Sequence, residues 1–328
     1  MMSDFEVRRR IKDPLAALPF EIGTELLAAL RNAVDLESPQ LFIDVALWAR
    51  SVLLHRHIEP SELSRALDAL QSKLPQHLPL SGIDAARRML SAARNELALS
   101  PAESAPEIDT ATDNGKIARR FLDFLLAGDE QHAAREILLA FARGMKTLSL
   151  YQDVLAPALH ETGRLWEQNE ITVSQEHIIT ASVQRLMAQL IDFSNIEPQR
   201  DLSVASAALG LSQHAVGARM VSDAFALCGW QSHYLGSTIP PADILEYVDR
   251  VSIDVLALSA TLSRDIGPLR ELIAELEKRP IAPLVITGGR ALALDRSLWR
   301  KLGADGYAQT PLMAVALANE LVAHVDSR

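Results

Sequence analysis

The sequence predicts a protein of the α plus α/β class: a helical N-terminal domain, a four-helix bundle and a C-terminal doubly wound parallel sheet of five strands. Three observations predict this fold. Apolar residues recur at helical spacing, without strand-like alternation, as far as about residue 195. A stretch that contains proline, serine and acidic residues separates two helical blocks. After Pro198, short apolar strands and amphipathic helices alternate five times, as in a parallel sheet.

The helical part of the chain divides into two blocks with a linker between them. Residues 1–99 are predicted to form a helical domain, because their apolar side chains follow helical spacing. Residues 100–114 hold four acidic residues and no basic one, which predicts a solvated linker. Residues 115–197 contain four predicted helices joined by short turns, for which an antiparallel bundle is the simplest packing.

The C-terminal part, residues 198–328, is predicted as five consecutive strand–helix units. Right-handed crossovers favour the strand order 2-1-3-4-5, the flavodoxin-like variant of the Rossmann architecture. In such a sheet, ligands bind beyond the carboxyl ends of the strands where the order reverses, here after the first and third strands. Those loops contain neither a Gly-x-Gly-x-x-Gly fingerprint nor a Lys-Ser/Thr phosphate loop, so nucleotide binding loses support.

Composition and charge exclude several classes of protein. The net charge is −10, with 42 acidic and 32 basic residues, so direct nucleic acid binding is not expected. The single cysteine, Cys228, excludes an internal disulfide and a thiolate-rich metal cluster. No apolar run approaches the ~20 residues of a membrane-spanning helix, and Met1–Lys12 holds no secretory signal. We expect a cytoplasmic binding protein without membrane association, and not an enzyme.

Three short motifs lie at the loops where the predicted sheet should bind a ligand. His214 and Gly217 form a His-x-x-Gly motif after the first strand, and Ser259 and Thr261 form a Ser-x-Thr motif after the third. Gly288-Gly289 follows the fourth strand, and intervals of 41 and 26 residues separate the three motifs. In order and spacing they resemble the cobalamin-binding domain, whose pattern is Asp-x-His-x-x-Gly, Ser-x-Leu/Thr and Gly-Gly.

This resemblance implies a role for each motif. His214 would replace the cofactor's dimethylbenzimidazole as the lower axial ligand of cobalt, so that cobalamin binds base-off and His-on. The freed nucleotide tail would insert beside the sheet. The other cofactor-binding residues that the motifs imply are Ser212, Gly217, Ser259, Thr261, Gly288 and Gly289. A loop histidine that only caps the following helix is the alternative for His214.

Ser212 departs from the family pattern, because it occupies the acidic position of the first motif. A carboxylate next to a metal-bound imidazole orients the ring and raises its basicity. A serine hydroxyl does so more weakly. We therefore expect a looser bond between cobalt and His214 than in the cobalamin enzymes.

The predicted bundle contains a further motif, Trp166 followed after nine residues by Glu176-His177. Thr172 and Gln175 predict a capping box that places Glu176 in a first helical turn, where the helix dipole favours a carboxylate. The spacing resembles the cap of light-sensing adenosylcobalamin repressors of the CarH type. The resemblance implies that Trp166 packs over the upper adenosyl group and that Glu176 and His177 face it. Core packing of Trp166 is the alternative.

Glu167 marks a second departure. In the repressors a histidine follows the tryptophan and captures cobalt after photolysis. His160 or His177 could take that place, or water could occupy it, so the upper ligand after illumination stays open. Methyl-carrying corrinoid proteins use a similar bundle but need an accessible upper face, and the Trp-x9-Glu-His spacing favours a sensor over such a carrier.

The N-terminal domain lacks a recognisable basic DNA reader. Phe42–Asp44, Trp48–Arg50 and Leu53–Arg56 resemble helical segments of photocobilins, light sensors that also hold biliverdin. The residue types suited to a bilin's propionates and pyrroles are Asp44, Arg50, His55, Arg56 and His57. Cys228 is poorly placed to attach a bilin, so any biliverdin would be bound noncovalently. A docking or dimerisation bundle is the competing role.

The combined prediction is a cobalamin-dependent photoreceptor that binds adenosylcobalamin. It would signal through a light-induced change in the cap and in protein association, with self-association or a separate effector protein as the output. A corrinoid carrier for methyl transfer, with a separate methyltransferase, is the alternative. A light-indifferent cobalamin-binding regulator is the third hypothesis.

Overall fold

The structure, a computed structural model, covers most of the chain. The described residues are 18–74, 80–101, 104–194, 196–199, 201–210 and 214–326. The chain forms two compact units, Met1–Ser104 and Ala105–Arg328. Ser212 of the predicted site lies outside the described residues.

The N-terminal unit is helical wherever it is described as regular structure. Its helices are α1 (Phe20–Asp35), α2 (Pro39–His55), α3 (Pro60–Lys73) and α4 (Leu80–Leu99). Helix α2 is central, since it contacts the other three helices and buries Phe42, Ala46 and Leu53. Its first residue is a proline, which suits a helix start because the first amide needs no helical acceptor. The predicted helical N-terminal domain is confirmed.

The bundle opens the second unit. Its elements are α5 (Asp113–Leu126), α6 (Glu130–Ala142), α7 (Thr147–Leu150), a π-helical turn (Tyr151–Leu155), α8 (Ala156–Glu167) and α9 (Val173–Phe193). Helix α7, the π-helical turn and α8 run on without a break and form the third of four rods. Pro157 explains the irregular turn, because a proline within a helix cannot donate to the carbonyl four residues earlier. The rods share one apolar core that includes Phe121, Ile137 and Leu186.

The start of α5 corrects one predicted boundary. The Thr112 side chain accepts a hydrogen bond from the Gly115 amide at 3.0 Å and caps the helix. Helix α5 therefore begins at Asp113, inside the stretch 100–114 that we predict as a linker. The linker prediction overlooked this cap because a threonine in a polar stretch also suits a loop.

The α/β domain follows the bundle in the same unit. Its elements are β1 (Ser203–Ala208), α10 (Val216–Leu227), β2 (Gln231–Gly236), α11 (Pro241–Arg250), β3 (Val255–Ser259), α12 (Ile266–Leu276), β4 (Leu284–Gly288), α13 (Arg290–Ala293), α14 (Leu298–Lys301), β5 (Gly306–Tyr307) and α15 (Pro311–Asp326). All neighbouring strands are parallel and their order is β2-β1-β3-β4-β5. This confirms the predicted flavodoxin-like topology.

The sheet register brings the predicted motifs to one edge. Ala208, the last residue of β1, pairs with Ser259 of β3, and Ser259 pairs with Gly288 of β4. The loops that leave these three strands therefore start side by side. This edge is where a doubly wound sheet binds ligands.

Candidate functional site

Backbone hydrogen bonds hold the three motif loops together beyond the strand ends. The amide of Leu209 donates to the carbonyl of Ser259 at 2.9 Å, and the amide of Ala260 donates to the carbonyl of Gly288 at 3.0 Å. The amide of Ala291 in turn donates to the carbonyl of Ala260 at 3.2 Å. The floor of the candidate site is thus fixed by main-chain contacts, and Ser259 and Gly288 lie within it.

The paired glycines are required by the packing of these loops. Gly289 has φ of +96°, and a Cβ there would lie 2.4 Å from the carbonyl oxygen of Ala260. A Cβ at Gly288 would lie 2.9 Å from the carbonyl oxygen of Ala308. Close approach of backbone to backbone is therefore one reason for both glycines. The sequence prediction, that they let a ligand approach, is not tested by these contacts.

Gly217, in the first turn of α10, has a different environment. A Cβ built at Gly217 has no heavy atom of another described element within 4 Å. Its φ also lies outside the left-handed region, so the backbone does not demand glycine. Neither packing nor backbone conformation therefore explains the glycine at this position.

His214 carries the imidazole that the first motif predicts as a cobalt ligand. The residue is exposed, yet the protein around its ring disfavours the charged form, and this desolvation lowers the pKa of His214. Asp265 and Glu176 act in the opposite direction, while Arg264 and Arg290 add to the lowering. A neutral imidazole is the form that binds a metal.

Asp265 is a site residue that the sequence analysis missed. It lies in a short turn after β3, has 0% exposure, and accepts a hydrogen bond from the Leu262 amide at 3.0 Å. Its carboxylate packs against Gly210, where a Cβ would lie 1.9 Å from Oδ1. Burial raises the pKa of Asp265. A single acidic residue just before the apolar start of α12 was the available signal.

The cap residues lie at the end of α8 and the start of α9. Trp166 is partly buried and packs against the bundle core, so core packing accounts for part of its role. The Thr172 hydroxyl accepts from the Gln175 amide at 3.3 Å, and Gln175 Oε1 accepts from the Thr172 amide at 3.0 Å, which confirms the capping box. The box fixes the first turn of α9, from which Glu176 projects.

Glu176 is held by its neighbours on α9 and acts on His214. Thr180 Oγ1 donates to Glu176 Oε1 at 2.9 Å, and His177 Nε2 lies 3.3 Å from Glu176 Oε2. The Glu176 side chain is 32% exposed, whereas that of His177 is 64% exposed. The Glu176 carboxylate favours the charged form of His214, and so acts against the desolvation that lowers the pKa of that histidine.

The donor set suits a cofactor that brings its own metal ligands. Within the described ranges, no group of three or more His, Cys, Asp or Glu could hold a metal ion. A macrocycle that supplies the equatorial ligands needs one axial side chain, as haem does. His214 is such a side chain, and a Cβ at Gly217, three residues later, would meet open space.

Ser206 in β1 carries a buried hydroxyl. It has 0% exposure, and its hydroxyl has no hydrogen-bond partner among the described residues. By the alternation of a strand, it shares a sheet face with Val204, which packs with Phe225 of α10 and Val315 of α15. A buried hydroxyl without a partner is costly, so its presence fits a polar group bound on this face.

In the N-terminal unit, the residues predicted for a bilin bind backbone carbonyl groups. Arg50 Nη1 donates to the carbonyl oxygen of Leu97 at 2.6 Å and to that of Ser100 at 3.0 Å, at the end of α4. His55 Nδ1 lies 2.9 Å from the carbonyl oxygen of Ser51, within its own helix. Arg50 therefore has a structural role. Biliverdin binding stays a prediction.

The bundle and the α/β domain both match known family models. Two models, each described as a B12 binding domain, match residues 117–191 and residues 202–316. The two matches together span more than half of the chain. The chain therefore belongs to the B12-binding-domain proteins, and its cofactor is a corrinoid.

The relatives include both a corrinoid protein and a transcriptional repressor. The dimethylamine corrinoid protein 1 of Methanosarcina acetivorans is 26% identical over 177 residues, which are 52% of this chain and 80% of that protein. The HTH-type transcriptional repressor CarH of Myxococcus xanthus is 23% identical over 179 residues, 54% of this chain and 59% of the repressor. The resemblance predicted from the motifs is confirmed at the level of the cobalamin-binding family.

A solved structure confirms the architecture. The monomethylamine corrinoid protein of Methanosarcina barkeri superposes with a TM-score of 0.56 at 19% identity, over 63% of this chain and 99% of that one. At this identity the match shows a shared fold. In addition, no helix in the described ranges has the length and apolar character to cross a membrane.

Proposed function

We propose that this chain is a cobalamin-dependent photoreceptor that binds adenosylcobalamin base-off, with His214 as the lower axial ligand. One observation carries the proposal: the Trp166-x9-Glu176-His177 motif lies in the bundle, which matches a B12 binding domain, directly ahead of the α/β domain that carries His214. No catalytic residue is proposed.

Each part of the site has a task in this proposal. His214 binds cobalt, and Ser212 occupies the motif position that orients its imidazole. Ser259, Thr261, Gly288 and Gly289 border the nucleotide tail, and Ser206 offers it a hydroxyl. The bound cofactor supplies a cobalt–carbon bond that visible light cleaves. Trp166 excludes water above that bond, and Glu176 and His177 offer hydrogen bonds to the adenosyl hydroxyls.

Signalling follows from the way Trp166 and Glu176 are held. The partly buried Trp166 and Glu176 would pack against the adenosyl group of a bound cofactor, and without that group they would lack this packing partner. The cap then repacks, and a local packing change is read out in protein association. Self-association or a separate effector protein provides the output.

A corrinoid carrier for methyl transfer is the second candidate function. The 26% identity to a dimethylamine corrinoid protein favours it. A carrier would exchange a methyl group with a separate methyltransferase and would need an open upper face. The Trp166-x9-Glu176-His177 spacing favours the sensor instead, because a broad indole over the upper face would block such exchange.

Illumination of the reconstituted protein separates the two functions. The protein is loaded with adenosylcobalamin in the dark, and its absorption spectrum and elution volume are compared before and after light. A spectral change together with a changed elution volume is expected for the sensor. Protein loaded with hydroxocobalamin is the control and should not respond. An unchanged adenosylcobalamin spectrum and elution volume would overturn the photoreceptor proposal.

Biliverdin in the N-terminal unit is a second part of the proposal, supported by the resemblance of the α2 segments to photocobilins. Adding biliverdin to the purified protein should give a red-absorbing complex. The variant Arg56→Ala tests the bilin without removing Arg50, which supports the end of α4. Absence of any red-shifted band would remove this part and leave the cobalamin proposal intact.

A further inference from the structure

A buried polar contact joins the bundle to the α/β domain. Tyr151 in the π-helical turn is 1% exposed, and its hydroxyl donates to Oδ2 of Asp223 on α10 at 2.9 Å. The carbonyl oxygen of Met187 on α9 lies 3.1 Å from the same hydroxyl. Asp223 is itself 6% exposed. A hydrogen bond to a carboxylate is stronger than one between neutral groups, so this contact fixes the bundle on α10.

The contacts continue from Asp223 towards the loop of His214. Arg219 Nε donates to Asp223 Oδ1 at 3.0 Å, and its guanidinium carbon lies 5.4 Å from the centroid of the Tyr234 ring. The Tyr234 hydroxyl donates to the carbonyl oxygen of Ala215 at 3.3 Å. Ala215 directly follows His214. Side chains from the bundle, α10 and β2 thus link the bundle to the neighbour of the predicted cobalt ligand.

Tyr151, the bundle residue of this network, lies in a π-helical turn, where the backbone is irregular. Such turns are rare in proteins and are frequent at functional sites. Tyr151 is the first residue of the turn, and Pro157 just beyond it prevents regular helical hydrogen bonding. The third rod of the bundle is irregular where it contacts α10. It can therefore shift relative to α10 with fewer regular helical hydrogen bonds broken than a regular helix would need.

We propose that Asp223 is a positioning residue that couples the placement of the bundle to the loop of His214. This inference rests on the proposed function, since it takes His214 as the cobalt ligand. When the cap repacks, the Tyr151–Asp223 hydrogen bond is lost, and Arg219 and Tyr234 no longer hold Ala215 in place. By linkage, a His214 held on cobalt stabilises the docked bundle to the same extent.

Amide hydrogen exchange on the full-length protein without cofactor tests the coupling. The variants are Tyr151→Phe and Asp223→Asn, which keep the shapes of the side chains. The matched control is Tyr247→Phe, which removes a hydroxyl that lies 2.8 Å from His233 Nδ1, outside the network. Exchange in peptides covering 214–219 should accelerate by about 5- to 10-fold in both variants, the usual effect of one lost hydrogen bond, and stay unchanged in the control.

The double variant, Tyr151→Phe with Asp223→Asn, tests whether the coupling passes through the contact between these two residues. If the coupling passes through the Tyr151–Asp223 contact, exchange at 214–219 in the double variant should be no faster than in Asp223→Asn alone. Unchanged exchange at 214–219 in both single variants, with faster exchange confined to the bundle, would overturn the coupling. Equal acceleration in Tyr247→Phe would overturn it as well. Because Asp223→Asn leaves Tyr151 intact, the test stands even if one variant destabilises the bundle.

A measurement with hydroxocobalamin keeps the two proposals distinguishable. In the loaded protein, Tyr151→Phe should lose the histidine-ligated spectrum about 5- to 10-fold faster than the wild type after dilution. A wild-type protein that never shows a histidine-ligated spectrum overturns the proposed function. Unchanged rates in the variant, with a normal wild-type spectrum, overturn the coupling alone.

Discussion

The two halves of the candidate site are held in different ways. At the α/β edge, main-chain hydrogen bonds connect Leu209, Ser259, Ala260 and Gly288, and the backbones approach so closely that glycine is required. In the cap, side chains hold Glu176, which lies between Thr180 and His177. A main-chain floor is rigid, whereas a side-chain roof can repack. Under the proposed function, this difference suits the α/β edge for binding and the cap for a conformational response.

His214→Ala should give the largest effect, because it removes the axial ligand itself. We expect complete loss of the histidine-ligated absorption spectrum of bound hydroxocobalamin. The unfolding free energy of the protein without cofactor should change by less than about 0.5 kcal/mol, since the residue is exposed. A retained histidine-ligated spectrum would remove the assignment of His214.

Gly289→Ala should disrupt the packing of the backbone at the α/β edge. The residue has φ of +96°, and the new methyl group would meet the Ala260 carbonyl at 2.4 Å. We expect a loss of about 2–4 kcal/mol in the free energy of unfolding, measured with denaturant.

Gly217→Ala is the matched control for this change, because its Cβ would meet no other described element within 4 Å. The unfolding free energy should stay within about 1 kcal/mol of the wild type. Cobalamin affinity should nevertheless fall, since the methyl group would enter the space for the ring. An equal loss of stability in both variants would contradict the difference between the two glycines.

Trp166→Ala should weaken the cap and leave the main-chain contacts at the α/β edge intact. Because the indole is only partly buried, we expect a stability loss of about 2 kcal/mol, less than for a fully buried tryptophan. Release of the adenosyl group in weak light should accelerate, as followed by absorption. Trp166→Phe keeps an aromatic ring, so its rate of adenosyl release should lie between those of the wild type and Trp166→Ala. Equal release rates in all three proteins would mean that Trp166 serves core packing alone.

A change of pH near neutrality should affect cobalamin binding less than any of these substitutions. The protein around the ring desolvates it and lowers the pKa of His214 below its ordinary value of 6.5, so the imidazole stays neutral at pH 7. Cobalt ligation requires this neutral form, and a bound metal opposes protonation further. Affinity should therefore be constant above pH 6.5 and weaken only as the pH falls through the lowered pKa. A midpoint above 6.5 in a spectroscopic titration would contradict the lowered pKa.

Much of the fold and part of the site followed from sequence patterns. Alternating strands and helices predicted the sheet order, and the order brought the His214, Ser259 and Gly288 motifs to one edge, as observed. Helix ends were less certain. A side-chain cap at Thr112 starts α5 earlier than expected. Two short helices, α13 and α14, lie between β4 and β5, where the strand–helix pattern predicts one.

The sequence by itself determined the helical and α/β parts, the strand order and the residues of the cobalamin motifs. These features depend on local periodicity and on fixed spacing, which a linear chain displays directly. Only the tertiary structure decided that Asp265 and Glu176 act on His214 and that Tyr151 bonds to Asp223. Tyr151 and Asp223 are 72 positions apart and belong to different domains, so no local pattern records their contact. Such contacts arise when packed elements bury polar groups that must then find partners.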